Sequence, residues 1–383
     1  QWGNTVDKLH YHTGGDWPRL AAGGGSSLEL RHPDMDNSDP SAWADSNESN
    51  KSSWQSFNIS EQYQQLTTRG SSSDYEELHI HAVGDAHIAL RNVSLTRNTS
   101  STNILPGGGE TVSRSGTGSN GWLCQGTHHA SDKFGNEFHI ISSGHGDNKA
   151  NRCEIDVTQI SRNDNLKFTC QARWISGKPT LVLNTWDRSF GGVLHLELPS
   201  NLGSAGASNT SLISSPAPTV SGLVHSPAVP TSSDPVLITA KVRSSSLISS
   251  VNVYHRRSTS SGNENYLTTP MNDLGRDGDE LAGDGIYSAT LNQYQSDNTI
   301  VQFYVRAASG NSTSFSPGPA PELPALWVVD NSNIPTDLRT QRFVISEYDR
   351  NSLNANTGGG SSRDYDFPRL SNQYFNSTFI SNE

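Results

Sequence analysis

Apolar and polar residues alternate along much of the chain, and this period of two predicts β-strands. The clearest run is residues 166–174, in which every second residue is apolar. Residues 236–242 and 301–307 repeat the pattern. Alternation places one face of a strand in a core and the other in water. Clusters of Ser, Gly, Asn and Asp separate the runs, so we predict an all-β protein of β-sandwich or jelly-roll domains in series.

Helix signals are sparse, and the one good helix start is Ser346. Its hydroxyl can cap free backbone N–H groups, and Glu347 and Asp349 place negative charge where the helix dipole favours it. We predict a short helix through Leu353. With the strand predicted at residues 378–380, this makes the C-terminal part a small, partial α+β segment.

Composition shifts suggest where the domains are divided. Residues 199–218 are rich in Ser, Gly, Ala, Asn and Pro, which is typical of a linker. Residues 354–363 are expected to form a flexible loop. The predicted divisions are residues 1–46, 47–200, a linker at 201–217, 218–332 and 333–383.

Length, charge and hydropathy narrow the possible functions. Only 32% of the 383 residues are hydrophobic, which fits the large surface of several small β-domains in series. A net charge of −11 argues against a general binder of nucleic acid. No stretch of the sequence approaches the apolar length of a transmembrane helix, so we expect no membrane span.

The two ends of the chain suggest a section of a longer protein. It begins at Gln1 without Met or a signal peptide, and residues 379–383 resemble the middle of a strand. We expect a trimmed section of a secreted protein, with a mature protein that has ordinary termini as the alternative.

Short motifs near the N-terminus resemble a known domain type. The motifs are GGDWP at 14–18, GGSSLEL at 24–30, DNS at 36–38 and SAW at 41–43. Together they resemble the closing segment of bacterial lamin-tail domains, which are immunoglobulin-like sandwiches. The resemblance implies that residues 1–46 are the end of such a domain.

The following region resembles the jelly-roll module that comes after lamin-tail domains in large secreted bacterial proteins. The motifs are GW at 121–122, QGTH at 125–128, ISSGHGD at 141–147 and WISG at 174–177. Such modules are similar to galactose-binding-like and carbohydrate-binding domains. The resemblance therefore implies that residues 47–200 form a jelly-roll that could bind carbohydrate.

Two further resemblances cover the rest of the chain. Residues 216–330 resemble an immunoglobulin-like domain with an acidic loop. The motifs IP at 334–335, RFVIS at 342–346 and TFI at 378–380 resemble the opening of a CotH-type, spore-coat kinase-like domain. That family's nucleotide- and metal-binding residues lie far downstream of this opening, so the resemblance implies no kinase residue in this chain.

The acidic loop is the strongest chemical feature. Five carboxylates fall within residues 273–284 and are spaced by glycines. Calcium needs several oxygen ligands, and glycines let a loop fold around an ion. The alternative is a solvated hairpin loop in which Asp and Gly form turns. The predicted ligands of a structural calcium ion are Asp273, Asp277, Asp279 and Asp284.

Histidines offer a second, weaker metal hypothesis. His79 and His81 lie two apart on a predicted strand and share a face. His87 follows on the next strand, and residues 128–129 add two more. Imidazoles at this spacing could bind zinc. The simpler interpretation is that His79 and His81 form the wetter side of their strand.

The three cysteines all fall in the inward register of predicted strands. Cys124 shares a face with Trp122, and Cys170 lies among alternating apolar residues. Cys153 and Cys170 lie on consecutive strands and could form a disulfide if their register allows it. Otherwise each thiol acts as a small buried apolar group.

Aromatic side chains are the candidates for sugar recognition, since an indole face can stack on a pyranose. Residues 47–200 contain Trp54, Trp122, Trp174 and Trp186. Trp174 follows the apolar register and is predicted to lie in the core. Trp186 lies in a polar stretch before two glycines, so it is the predicted ligand-binding ring.

No phosphate-binding loop, zinc-protease motif or serine elbow is present in the sequence. We therefore expect a non-catalytic structural or adhesive segment of a large extracellular or cell-surface protein. Its expected partners are polysaccharide or neighbouring surface-protein chains, and calcium is its only expected cofactor. The alternatives are the N-terminal targeting portion of a CotH-like kinase, or a subunit of an extracellular fibre or surface layer joined by strand addition.

Overall fold

The computed structural model describes most of the chain, and β-strands dominate what it describes. The described residues are 9–64, 77–114, 118–143, 146, 150–157, 160–260, 262–332, 341–356 and 375–381. Within them lie two β-sandwiches, one α-helix and three short 3-10 helices. The predicted all-β class is confirmed. Among these same residues, no helix is both long and apolar enough to cross a membrane.

The N-terminal segment forms a small hairpin. It pairs β1 (Leu28–Leu30) with β2 (Trp43–Asp45), joined through the 3-10 helix Pro40–Ala42. This segment packs against the first sandwich at Gly25. A Cβ added there would lie 2.9 Å from the Trp174 ring, and φ is +90°, so the contact requires glycine.

The first sandwich contains eleven strands in two sheets. A six-stranded sheet has the order β13-β12-β4-β10-β7-β6, and a five-stranded sheet has the order β3-β11-β5-β9-β8. The strands are β3 (Gln55–Gln62), β4 (Glu77–Ala82), β5 (Ala86–Arg97), β6 (Val112–Ser113), β7 (Trp122–Cys124), β8 (Asp132–Phe134), β9 (Glu137–Ser142), β10 (Cys153–Asp156), β11 (Asn165–Gly177), β12 (Thr180–Thr185) and β13 (Gly191–His195). The other two 3-10 helices are Pro106–Gly109 and Gly126–His128.

The core of this sandwich lies between the two sheets. Strand β11 alternates buried and partly exposed residues as its sequence predicts, and Phe168 and Trp174 are fully buried. Trp174 also donates a hydrogen bond from Nε1 to the Gly177 carbonyl at 2.8 Å. Its predicted place in the core is confirmed. The polar side chains of β11 consequently point away from the core.

The second sandwich pairs a three-stranded sheet, β14-β15-β19, with a larger sheet built around β16 and β20. Its core includes Ile238, Phe303 and Trp327, all at most 1% exposed. The strands are β14 (Thr219–Ser226), β15 (Val236–Arg243), β16 (Ser250–Thr259), β17 (Gly262–Asn263), β18 (Leu267–Pro270), β19 (Ile286–Leu291), β20 (Ile300–Ser309), β21 (Ser312–Ser316) and β22 (Ala325–Val328).

The segment between the sandwiches is tied to the N-terminal hairpin by hydrogen bonds. The Ser204 and Ser27 hydroxyls lie 3.0 Å apart, and Asn209 donates to the Leu30 carbonyl at 2.9 Å. Residues 201–217 therefore connect the domains as a docked strip rather than as a free linker.

The C-terminal part contains β23 (Gln341–Ile345), α1 (Glu347–Asn356) and β24 (Ser377–Ser381). The Asp349 amide donates to the Ser346 hydroxyl at 2.9 Å, so the predicted cap is confirmed. The helix extends past Leu353 because no glycine interrupts it before Gly358. The loop predicted at residues 354–363 is wrong for residues 354–356, which belong to α1. The rest of that loop and the CotH-like motif at 334–335 lie outside the described residues.

Candidate functional site

The disulfide links Cys124 to Cys153, and Cys170 is a free, buried thiol. The predicted Cys153–Cys170 bond is therefore wrong. Strands β10 and β11 follow each other in sequence but belong to opposite sheets. Cys153 instead lies directly across from Cys124 on the neighbouring strand β7. Burial raises the pKa of the Cys170 thiol to about 12, so it is not a reactive thiolate.

Polar side chains cover the outer face of the five-stranded sheet, which is the side of that sheet away from the core. Sheet register places residues from β11, β5 and β9 side by side on this face. Phe134 on β8 is 54% exposed at one edge, and Trp54 lies at the other, just before β3. The residues that define the outer face below are Trp54, Arg91, Glu137, His139, Gln171 and Arg173.

Trp54 lies across the strands of this face. The Arg91 guanidinium is 4.2 Å from the centre of its ring, and that of Arg173 is 5.0 Å away. Trp54 lies next to the edge strand β3, and Arg91 lies on β5, with β11 between these two strands. The indole therefore reaches over β11. Trp54 itself remains partly exposed to solvent. Cation–π attraction of this kind stabilises a flat indole.

A chain of hydrogen bonds orders the middle of the outer face. His139 Nε2 is 3.0 Å from Glu137 Oε2, and His139 Nδ1 is 2.8 Å from His87 Nε2. A carboxylate only accepts, so His139 donates from Nε2 to Glu137, and one proton is shared between His139 Nδ1 and His87 Nε2. Burial, with the charges of His139 and Arg173, lowers the pKa of His87 to about 4. Both rings are thus fixed, and His87 is neutral near pH 7.

Trp186 lies elsewhere, immediately after β12 of the six-stranded sheet. Its backbone amide donates to the Glu77 carbonyl at 2.9 Å, and its side chain is half-buried. It does not share the outer face with Trp54, and its role in ligand binding stays a prediction. The sequence pattern did not predict a site at Trp54, because Arg91 and Arg173 are distant in sequence and only sheet register brings them to its ring.

The acidic loop brings together three of its four predicted ligands. Carboxylate oxygens of Asp273, Asp279 and Asp284 lie within 4.8 Å of one another. Asp273 accepts backbone N–H bonds from Gly283 at 2.6 Å and Gly285 at 3.0 Å, which curl the loop around it.

Asp277, the fourth predicted ligand, is not part of this group. Its carboxylate lies 3.8 Å from the Arg276 guanidinium, and its side chain is 77% exposed. Its φ is +54°, so this residue forms the turn of the loop instead.

The predicted histidine group is dispersed over the first sandwich. His79 is within 4.8 Å of Glu77 and Glu154 in a cluster that could hold a metal. Arg152 Nε lies 2.5 Å from Glu154 in that cluster, so an internal cation already balances one carboxylate.

The other histidines have separate partners. His128 Nε2 accepts from the Ala82 amide at 2.8 Å. His81 Nδ1 lies 3.1 Å from the Asn151 carbonyl. His87 belongs to the opposite sheet, where it contacts His139.

Comparisons with known proteins leave the family open. No family model and no curated protein matches the chain. Among solved structures, the chain is similar to a protein from Corynebacterium diphtheriae whose membrane anchoring is only provisionally assigned. Identity is 11%, the TM-score is 0.16, and the match covers 78% of this chain and 56% of that one. The chain thus spans little more than half of that protein, and so low a TM-score carries no argument.

Proposed function

We propose that this protein is a non-catalytic, extracellular adhesive segment whose first sandwich binds polysaccharide on the outer face of the five-stranded sheet. The observation that carries the proposal is the partly exposed Trp54 ring, which contacts the Arg91 and Arg173 guanidiniums beside an ordered row of hydrogen-bonding side chains.

The chemistry of a sugar matches such a face. A pyranose presents apolar C–H groups on its faces and hydroxyls around its rim. An indole ring packs against the C–H groups, and fixed polar side chains form hydrogen bonds with the hydroxyls. Gln171 and Glu137 add an amide and a carboxylate whose positions are set by Arg91 at 2.8 Å and Arg173 at 3.3 Å. Preorganised groups lose little entropy when a ligand binds.

The Cys124–Cys153 disulfide supports the extracellular part of the proposal. Such bonds persist in oxidising compartments and are rare in the reducing cytosol.

Retention on insoluble polysaccharides tests the binding proposal. Trp54→Ala should lose retention, while Trp186→Ala, which removes the other candidate indole, should keep it. Circular dichroism of each variant shows whether the sandwich remains folded. Retention of a folded Trp54→Ala protein at the wild-type level would contradict the proposal, and loss in Trp186→Ala alone would move the site to the six-stranded sheet.

We also propose that the acidic loop of the second sandwich binds a structural calcium ion. Asp273, Asp279 and Asp284 supply the hard oxygen ligands that calcium prefers, and Asp279 is only 7% exposed. Three carboxylates this close repel one another unless a cation or protons compensate them.

A further inference from the structure

Charge pairing on the outer face leaves Arg91 without an acidic partner among the described residues. Glu137 lies 3.3 Å from Arg173, and Asp132 at the edge lies 2.5 Å from Arg114. Arg91 forms no ion pair with any residue that the structure describes; its Nε donates to the neutral Gln171 amide at 2.8 Å.

Arg91 is also held in a fixed plane. Trp54 covers it at 4.2 Å, and the bond to Gln171 fixes the Nε edge. Among the described residues, no other hydrogen bond of Arg91 occupies its terminal nitrogens. A planar guanidinium donates two parallel N–H bonds to a planar carboxylate, and a lysine cannot reproduce that geometry.

The His87 imidazole adds no positive charge to this face near neutral pH. Burial, together with the charges of His139 and Arg173, keeps His87 neutral, with its pKa lowered to about 4. His87 therefore does not compete with Arg91 for an anionic ligand.

From this arrangement we infer that the polysaccharide bound by the outer face is anionic and carries carboxylates, as in a chain of uronic acids. Arg91 receives the carboxylate through its terminal nitrogens, and Trp54 stacks on the sugar ring that bears it. The inference rests on the proposed function and adds the chemical class of the ligand.

The sharpest test uses two polymers with the same sugar backbone, one with charged carboxylates and one with neutral methyl esters. Polygalacturonate carries one carboxylate per sugar, and its fully methyl-esterified form has the same backbone without the charge. Binding of both to wild type, Arg91→Gln, Lys167→Gln and Trp54→Ala is measured by affinity electrophoresis. Lys167→Gln is the matched control, because Lys167 is an exposed cation that points to the same side of the sheet from β11.

We expect the wild type to bind polygalacturonate roughly tenfold or more tightly than the ester, in keeping with a charge-assisted bidentate pair. Arg91→Gln should abolish that difference, and Lys167→Gln should keep most of it. Trp54→Ala should weaken binding to both polymers.

Three outcomes would overturn the inference. Equal binding of both polymers that Trp54→Ala abolishes would remove the charge requirement and leave the proposed function standing. Equal losses in Arg91→Gln and Lys167→Gln would show diffuse attraction rather than a carboxylate site. Failure of every protein to bind either polymer, together with no retention on neutral polysaccharides, would remove both proposals.

Discussion

Buried histidines occur in both sandwiches and are held uncharged. His128 and His255 are at most 2% exposed, and burial lowers the pKa of each to about 4. His128 Nε2 accepts a hydrogen bond from the Ala82 amide, and a protonated nitrogen could not accept it. Protonation would therefore cost both a solvation penalty and a hydrogen bond.

This residue-scale chemistry predicts acid sensitivity. Between the unfolded pKa of 6.5 and the folded value of about 4, the unfolded chain binds more protons than the folded one. The free energy of unfolding is therefore greatest above pH 6.5, and it falls as the pH drops towards 4. Thermal melts across this window should show a declining melting temperature.

A matched pair of variants isolates the contribution of His128. His128→Gln keeps an acceptor for the Ala82 amide but cannot titrate, so the acid decline should be shallower. His12→Gln, at an exposed position, should leave the decline unchanged. Identical slopes for wild type and His128→Gln would contradict the expectation.

At the scale of elements, the disulfide closes β7 onto β10 across a sequence separation of 29 residues. Strand pairing already places the two cysteines opposite each other, so the bond adds a covalent link to an existing register. A link of this loop length restricts the unfolded chain and stabilises the fold by about 2–4 kcal/mol.

Peptide mapping under non-reducing conditions should therefore recover Cys124 joined to Cys153. Cys170, 4% exposed, should react with an alkylating agent only after denaturation. The double change Cys124→Ser and Cys153→Ser should lower the melting temperature and make it insensitive to reductant. Recovery of a linked peptide that contains Cys170 would refute this assignment.

The acidic loop gives a second prediction at this scale. If calcium binds, saturation at ten times the dissociation constant should add about 1.4 kcal/mol to the stability of the second sandwich. Asp284→Asn should remove most of this gain while its side-chain oxygen still accepts from the Ile286 amide.

Asp277→Asn is the control, since Asp277 lies in the same loop but outside the converging group. We expect its calcium response to match the wild type in a thermal melt with calcium or chelator. Equal responses in all three proteins would count against the site.

For the whole molecule, the strip at 201–217 joins the N-terminal hairpin to the rest of the chain. Glu29 is 2% exposed and accepts from the Ser211 amide at 2.7 Å and the Thr210 hydroxyl at 3.0 Å. Burial opposes its ionisation, yet hydrogen bonds from Ser204, Thr210 and Ser211 lower its pKa to about 2. The carboxylate thus anchors the strip.

Glu29→Gln should loosen that anchor, because an amide accepts fewer hydrogen bonds and adds donors to a buried site. Losing a charge-assisted bond of this kind costs about 1.5–3 kcal/mol. Limited proteolysis should then cut within residues 203–213 faster than in the wild type. Glu61→Gln, on the exposed part of β3, is the control, and equal cleavage of both variants would speak against the anchor.

Local patterns were enough for the strands, the burial of Trp174 and the helix cap at Ser346. Each depends on residues a few positions apart, since the alternation of a strand and the reach of a capping hydroxyl are short-range effects. The acidic loop was foreseen for the same reason, although only the fold separated Asp277 from the other three carboxylates.

Partners distant in sequence were decided by tertiary structure alone. Cys153 pairs with Cys124 rather than Cys170, and Trp54 meets Arg91, because the order of strands within each sheet brings them together. Alternation tells which side of a strand is buried, but it does not tell which strand lies beside it. That choice follows from how the sheets bury their apolar faces together, and the site proposed here depends on it.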